Sequence, residues 1–86
     1  MTENPCYKQL FETIAALKTP EECEEFFNDL CTINELGAMA QRITAAKLLL
    51  EGETYEQIIS KTDISSATLS RVSRCVKYGS GYKKFL

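Results

Sequence analysis

The sequence TYEQIISKTDISSATLSRVSRCVK, residues 54–77, decides the fold of this 86-residue chain. Thr54 starts a capping-box pattern, which predicts a short helix that runs through Lys61. After a short turn, Ser65 is placed to cap a second helix that ends near Tyr78. Two short helices joined by a tight turn form a helix-turn-helix, a unit with which many proteins bind DNA.

The second predicted helix has an apolar side and a cationic side. Leu69, Val72 and Val76 share one side at helical spacing. The apolar residues available to pack against them are Ile58, Ile59 and Ile64. The opposite side combines small residues with cations, namely Ala67, Ser70, Arg71, Arg74 and Lys77. Small residues let a helix lie deep in a major groove, and arginine can form a bidentate contact with guanine.

The charge of the chain is divided unevenly between its two parts. Residues 1–53 carry ten acidic and four basic side chains, so their net charge is −6. Residues 54–86 carry two acidic and six basic side chains, so their net charge is +4, although the whole chain has −2. A basic part within an acidic chain indicates a surface for a polyanion such as nucleic acid; the alternative is an ordinary solvated surface.

Further capping patterns predict helices before this segment. Pro5 suits the first turn of one helix, and Thr19 with Pro20 begins another. Glu22 then completes a capping box with Thr19. No stretch alternates between apolar and polar residues with period two, so the sequence predicts an all-α fold.

A third helix is predicted between a capping box at Thr32 and Glu35 and a glycine stop at Gly52. Gly37 inside this helix indicates a kink or a close helix crossing. Its apolar residues form one stripe, which is expected in the core or in a dimer interface: Leu36, Met39, Ile43, Ala46 and Leu50.

The length of the chain favours one small domain that gains stability from a partner chain. We expect the four cysteines to be reduced and to act mostly as small core residues, with redox sensing as the minor alternative. No histidine is present and the cysteine spacing fits no zinc pattern, so neither a metal site nor another cofactor is expected. The polar start at Thr2 predicts no secretory leader, and hence a cytoplasmic protein without a membrane span.

The run ISSATLSR at residues 64–71 is similar to the helix-turn-helix of bacterial repressors. With LLEGE at residues 49–53, the segment from Arg42 to Lys77 resembles the Trp repressor superfamily, and within it the YerC/YecD branch. The resemblance implies an all-helical, intertwined homodimer in which the N-terminal helices interlock with those of the partner.

The resemblance also implies a corepressor site. Two arginines hold the corepressor in the Trp repressor, and Arg42 and Arg71 occupy the matching positions. A glycine follows the second arginine there, whereas this chain has Val72, so we expect an effector pocket that does not accept tryptophan. Two further departures are Ile59, where many relatives have alanine, and Asp63, where many have glycine.

The sequence therefore predicts a homodimeric, sequence-specific DNA-binding transcriptional regulator, in function a repressor. Residues 1–53 would supply dimerisation helices, residues 54–78 the helix-turn-helix and residues 79–86 a C-terminal tail. Base contacts are expected from Ser66, Ala67, Ser70 and Arg71. Contacts to phosphates are expected from Thr54, Lys61, Ser65, Thr68, Arg74 and Lys77.

The alternative function is a helical protein-interaction module that does not bind DNA, which the acidic N-terminal part would suit. An enzyme is the least favoured class. Ser65, Thr68 and Ser70 could suggest a nucleophile, but the chain has no histidine to activate one.

Overall fold

The computed structural model describes residues 3–86, so Thr2, on which the expectation about a leader rests, lies outside it. All regular structure within these residues is helical, which confirms the all-α prediction. The helices are α1 (Pro5–Ala15), α2 (Pro20–Leu30), α3 (Ile33–Leu50), α4 (Tyr55–Thr62), α5 (Ser66–Tyr78) and α6 (Gly81–Phe85). The chain forms two compact units, one that ends at Leu36 and a second at Gly37–Leu86.

The helices of the first unit begin at side-chain caps. The Thr19 hydroxyl accepts a hydrogen bond from the Glu22 N–H at 3.1 Å, as predicted. The Glu22 carboxylate, however, accepts from the backbone N–H of Lys18 at 2.8 Å, one residue before the position that a capping box requires. The predicted box is therefore wrong in its second half, because the Glu22 carboxylate accepts from the N–H of Lys18 and not from that of Thr19.

The capping box at the start of α3 is confirmed. The Thr32 N–H donates to the Glu35 carboxylate at 2.8 Å, and the Glu35 N–H donates to the Thr32 hydroxyl at 3.1 Å. The pKa of Glu35 is lowered from its ordinary value because its charged form accepts hydrogen bonds from the backbone N–H and the hydroxyl of Thr32.

Neither α1 nor α2 contains a buried residue. Phe26 and Phe27 are half-buried and pack edge to face, with ring centroids 6.0 Å apart. Large apolar side chains remain exposed in the single chain, among them Phe11 at 48%, Leu30 at 46% and Ile33 at 86%. The hydrophobic effect favours covering such side chains.

The second unit contains the core of the described chain. Its buried apolar residues are Ala45, Ala46, Ile58, Ile64, Leu69 and Val72, with Ile59, Val76 and Tyr82 half-buried against them. The predicted apolar side of α5 is thus confirmed. Full burial of an isoleucine or leucine side chain contributes about 1.5–3 kcal/mol, so this cluster dominates the stability of the unit.

The apolar stripe predicted for α3 lies only partly in the core of the single chain, which leaves the dimer interface as the predicted location of its exposed members. Ala46 is buried as expected, but Ile43 is 50% and Leu50 is 41% exposed, while Ala45 is completely buried. The core of this unit lies against the alanines, whose small side chains let neighbouring backbone approach. A Cβ added at Gly37 would meet no described atom within 4 Å, so the close crossing predicted there is absent between residues 3 and 86.

Two residues with positive φ form the connections on either side of α4. Gly52 has φ +89°, which confirms it as the stop after α3. Asp63 has φ 59° at the end of α4, and its N–H donates to the Ile59 carbonyl at 2.9 Å. The capping box that opens α4 at Thr54 is also confirmed. None of the helices between residues 3 and 86 is long and apolar enough to cross a membrane.

The left-handed conformation of Asp63 makes this position sensitive to the Cβ atom. Asp63→Gly should raise the free energy of unfolding by about 0.5–1 kcal/mol, because glycine adopts positive φ without steric cost. Asp63→Val should lower it by about 1–2 kcal/mol, because a β-branched residue is strained there. Urea denaturation of both variants measures the difference. A valine variant as stable as the natural chain would contradict the turn geometry.

Candidate nucleic-acid interface

The cationic side of α5 is exposed because its opposite side is buried. Leu69 is 0% and Val72 2% exposed, which leaves the other side of the helix facing solvent. The predicted base-contacting residues are all exposed there: Ser66, Ala67, Ser70 and Arg71. Arg74 and Lys77, two of the predicted phosphate-contacting residues, are exposed farther along the same helix.

The N-terminus of α5 is organised by Ser65 and Thr68. The Ser65 hydroxyl accepts a hydrogen bond from the Thr68 N–H at 3.1 Å and donates to the Thr68 hydroxyl at 2.9 Å. Thr68 is half-buried, whereas Ser65 is exposed. The Ser65 proton is therefore engaged within the chain, and the Thr68 hydroxyl retains a proton that it can donate outward. The first N–H groups of a helix also lack intrahelical partners and can bind an anion.

Thr54, the N-cap of α4, and Lys61, in the last turn of α4, are two of the predicted phosphate-contacting residues, and both are exposed. The Thr54 hydroxyl accepts from the Gln57 N–H at 3.2 Å as part of the capping box. Lys61 Nζ lies 2.6 Å from the Glu53 carboxylate, the one ion pair present within residues 3–86. The cations of α5 form no ion pair with any residue of that range.

Arg42 and Arg71, two of the residues predicted for an effector pocket, line one cavity of about 230 Å³. The other lining residues are Ala38, Gln41 and Thr68. Two guanidinium groups with a hydroxyl and an amide can bind a carboxylate or phosphate by several charge-assisted hydrogen bonds. Val72, the third residue predicted here, follows Arg71 but points into the core and does not line the cavity.

Gln41 is a residue of this site that the sequence did not indicate. Its side-chain amide donates a hydrogen bond to the Thr62 carbonyl at 2.9 Å and so joins α3 to the last residue of α4. Gln41 stands one helical turn before Ala45, on the side of α3 that is buried. The sequence signal that could have identified Gln41 is the position of a polar residue on the same side of the helix as the buried Ala45.

The cysteines differ from their prediction as core residues. Cys6 and Cys75 are exposed, and Cys23 and Cys31 are half-buried. None of the four forms a disulfide within residues 3–86. Their helical positions explain the difference, because Cys6 lies in the first turn of α1 and Cys75 away from the buried side of α5. Within residues 3–86, no group of three or more cysteine, aspartate or glutamate side chains is arranged so that it could hold a metal ion.

The chain is similar to known proteins over most of its length. The sequence model of the family described as Trp repressor protein matches residues 6–86. The chain is 55% identical over 71 residues to YerC of Bacillus subtilis strain 168, an uncharacterized protein. That match covers 83% of this chain and 68% of YerC.

Two solved structures have a similar fold. A TrpR-like protein from Eubacterium eligens superposes with a TM-score of 0.90 at 45% identity, covering 94% of this chain and 84% of that protein. A Staphylococcus aureus protein, described provisionally as a Trp repressor, gives a TM-score of 0.89 at 40% identity. This second match covers 93% of this chain and 81% of the other.

The Gln41 hydrogen bond should contribute measurably to stability. Gln41→Met keeps the length of the side chain but removes the donor to the Thr62 carbonyl, so it should lower the free energy of unfolding by about 1 kcal/mol. Gln9→Met is the matched control, because Gln9 is exposed on α1. Urea denaturation of both variants is the measurement. Equal stability of the two would show that the Gln41 hydrogen bond makes no net contribution to the stability of the chain.

Proposed function

This chain belongs to the Trp repressor family, and we propose that it is a sequence-specific DNA-binding transcriptional regulator that represses as a homodimer. Membership confirms the resemblance indicated by residues 64–71. The observation that carries the proposal is α5, which buries Leu69 and Val72 and exposes arginines without ion pairs inside residues 3–86. Such a helix has the shape and charge to enter a major groove.

Each part of α5 has a distinct role in this proposal. Ser66, Ala67, Ser70 and Arg71 face the base edges, with Arg71 making the bidentate contact to guanine. Residues of α4, of the helix caps and of the rest of α5 position the protein through the phosphates, namely Thr54, Lys61, Ser65, Thr68, Arg74 and Lys77. Phosphate contacts supply affinity without sequence information, whereas the base contacts supply specificity.

A homodimer would use helices within residues 1–53. The support is the exposure of Phe11, Leu30 and Ile33 in the single chain, together with that of Ile43. A second copy that covers these side chains would remove apolar surface from water. Each Å² of apolar surface buried in this way contributes about 25 cal/mol of favourable free energy. Two copies would present two α5 helices to half-sites about 34 Å apart, one turn of DNA.

The cavity between Arg42 and Arg71 is the proposed effector site. Because Arg71 also faces the bases in this proposal, an anion bound beside it would change the charge and position of a base-contacting side chain. The class of effector that suits two arginines is a small molecule with a carboxylate or phosphate. Tryptophan is not proposed, since a valine follows Arg71.

Binding to pooled random duplexes at low and moderate salt tests the main proposal. We expect salt-sensitive binding and enrichment of a symmetric motif over rounds of selection. Absence of binding even at low salt would reject it and favour the protein-interaction module, for which the acidic residues 1–53 are the supporting feature.

Arg71→Ala and Lys77→Ala should have different effects on DNA binding. Arg71→Ala should lose about 1–3 kcal/mol of discrimination at one base pair of the selected site. Lys77→Ala should weaken binding to all sequences alike and reduce the salt dependence, because it removes a phosphate contact. Titrations of the selected site and its point variants measure both. Unchanged binding by both variants would show that α5 does not contact DNA.

Tryptophan should not stabilise the protein. This expectation comes from the family resemblance: the Trp repressor has a glycine after its second arginine, and this chain has Val72 at that position. A thermal-shift titration with excess tryptophan should therefore give no change in Tm, with Arg71→Ala as the control protein. A concentration-dependent rise in Tm that disappears in Arg71→Ala would contradict this expectation.

A further inference from the structure

The ion pair between Glu53 and Lys61 joins the two ends of α4. Glu53 stands directly before the Thr54 cap, and its backbone N–H donates to the Leu48 carbonyl at 3.1 Å. Lys61 lies in the last turn of the helix, and its side chain returns to Glu53 with Nζ 2.6 Å from Oε1. The pair therefore spans the whole helix rather than one turn.

The two partners are held unequally. The side chain of Glu53 is only 20% exposed, and its backbone is tied to α3, so its position is largely determined. The side chain of Lys61 is 56% exposed and also borders a shallow cavity with Ala40 and Gln41. Glu53 is thus a pre-ordered acceptor, and Lys61 is the partner that can leave it.

The pair changes the charge that α4 offers to DNA. Lys61 is the single lysine or arginine of α4, and its charge is compensated by Glu53. Arg71, Arg74 and Lys77 on α5 have no such compensation within residues 3–86. A phosphate that binds Lys61 must therefore displace a carboxylate, whereas a phosphate that binds α5 displaces only water and counterions.

We infer that Glu53 withholds Lys61 from phosphates in sequence-independent complexes, and that Lys61 reaches a phosphate only when the specific site holds the protein closely. The inference rests on the proposed DNA-binding function. In a non-specific complex no phosphate has a defined position, so the ordered carboxylate keeps the lysine. Glu53 is a positioning residue in this scheme, because it acts on DNA only through Lys61.

Glu53→Gln tests this inference through the salt dependence of binding to random duplex DNA. Release of Lys61 should raise the affinity at low salt about two- to fivefold, the range of an exposed ion pair. It should also steepen the plot of log K against log salt by about 0.9, the effect of one added phosphate contact. Affinity for the selected site should rise less, so that the ratio of specific to non-specific binding falls.

Two further variants separate the pair from the general effect of charge. Glu56→Gln makes the same change in net charge at an exposed residue in the first turn of α4. It should leave the salt slope unchanged. Lys61→Met removes the lysine, and Glu53→Gln in that background should have no larger effect than Glu56→Gln. Glu53→Asp keeps the charge but shortens the side chain, and serves if the glutamine variant does not fold.

The outcomes distinguish the inference from the function on which it rests. Equal effects of Glu53→Gln and Glu56→Gln, or an effect of Glu53→Gln that persists with Lys61→Met, would overturn the role of Glu53 while leaving DNA binding intact. Failure of the natural chain to bind duplex DNA at low salt would overturn the proposed function and this inference together.

Discussion

Burial of the apolar side of α5 is the constraint on which the second unit depends. Leu69 and Val72 are almost inaccessible to water together with Ile58 and Ile64, and each such side chain contributes about 1.5–3 kcal/mol. That contribution is large against the total stability of a small domain, about 5–15 kcal/mol. Because side chains on a helix keep a fixed angular relation, burial of one side also determines which side faces solvent. The exposure of Arg71 follows from it.

Polar interactions around α4 then set how the two helices of the motif are connected. Asp63 turns the chain through positive φ, and Gln41 holds the Thr62 carbonyl from α3. The Gln41 hydrogen bond is worth about 1 kcal/mol, and the conformation of Asp63 has a cost of similar size, so both only refine an arrangement that apolar burial has already selected. The Glu53–Lys61 ion pair is another polar interaction around α4, and it also determines where the charge of the Lys61 side chain lies. An interaction that stabilises α4 thereby also influences how much positive charge this helix presents to a polyanion.

Much of the candidate site could be predicted from the sequence, and the failures have physical causes. The exposed residues of α5 follow from its period of 3.6, and the caps at Thr54 and Ser65 follow from local hydrogen bonding. The state of Lys61 could not be predicted, because its partner lies eight residues away and surface ion pairs are weak and depend on geometry. Gln41 was missed for a related reason, since its acceptor is 21 residues away.

The sequence by itself determined the helical class, the start of each capped helix, the two faces of α5 and the family of the chain. These properties depend on residues within one or two helical turns, or on a motif as compact as residues 64–71. Only the tertiary structure decided which stripe of α3 is buried, that Arg42 and Arg71 share a cavity, that Val72 lies outside its lining and that Lys61 is paired. Each of these depends on packing between helices distant in sequence, and local pattern carries no information about that packing.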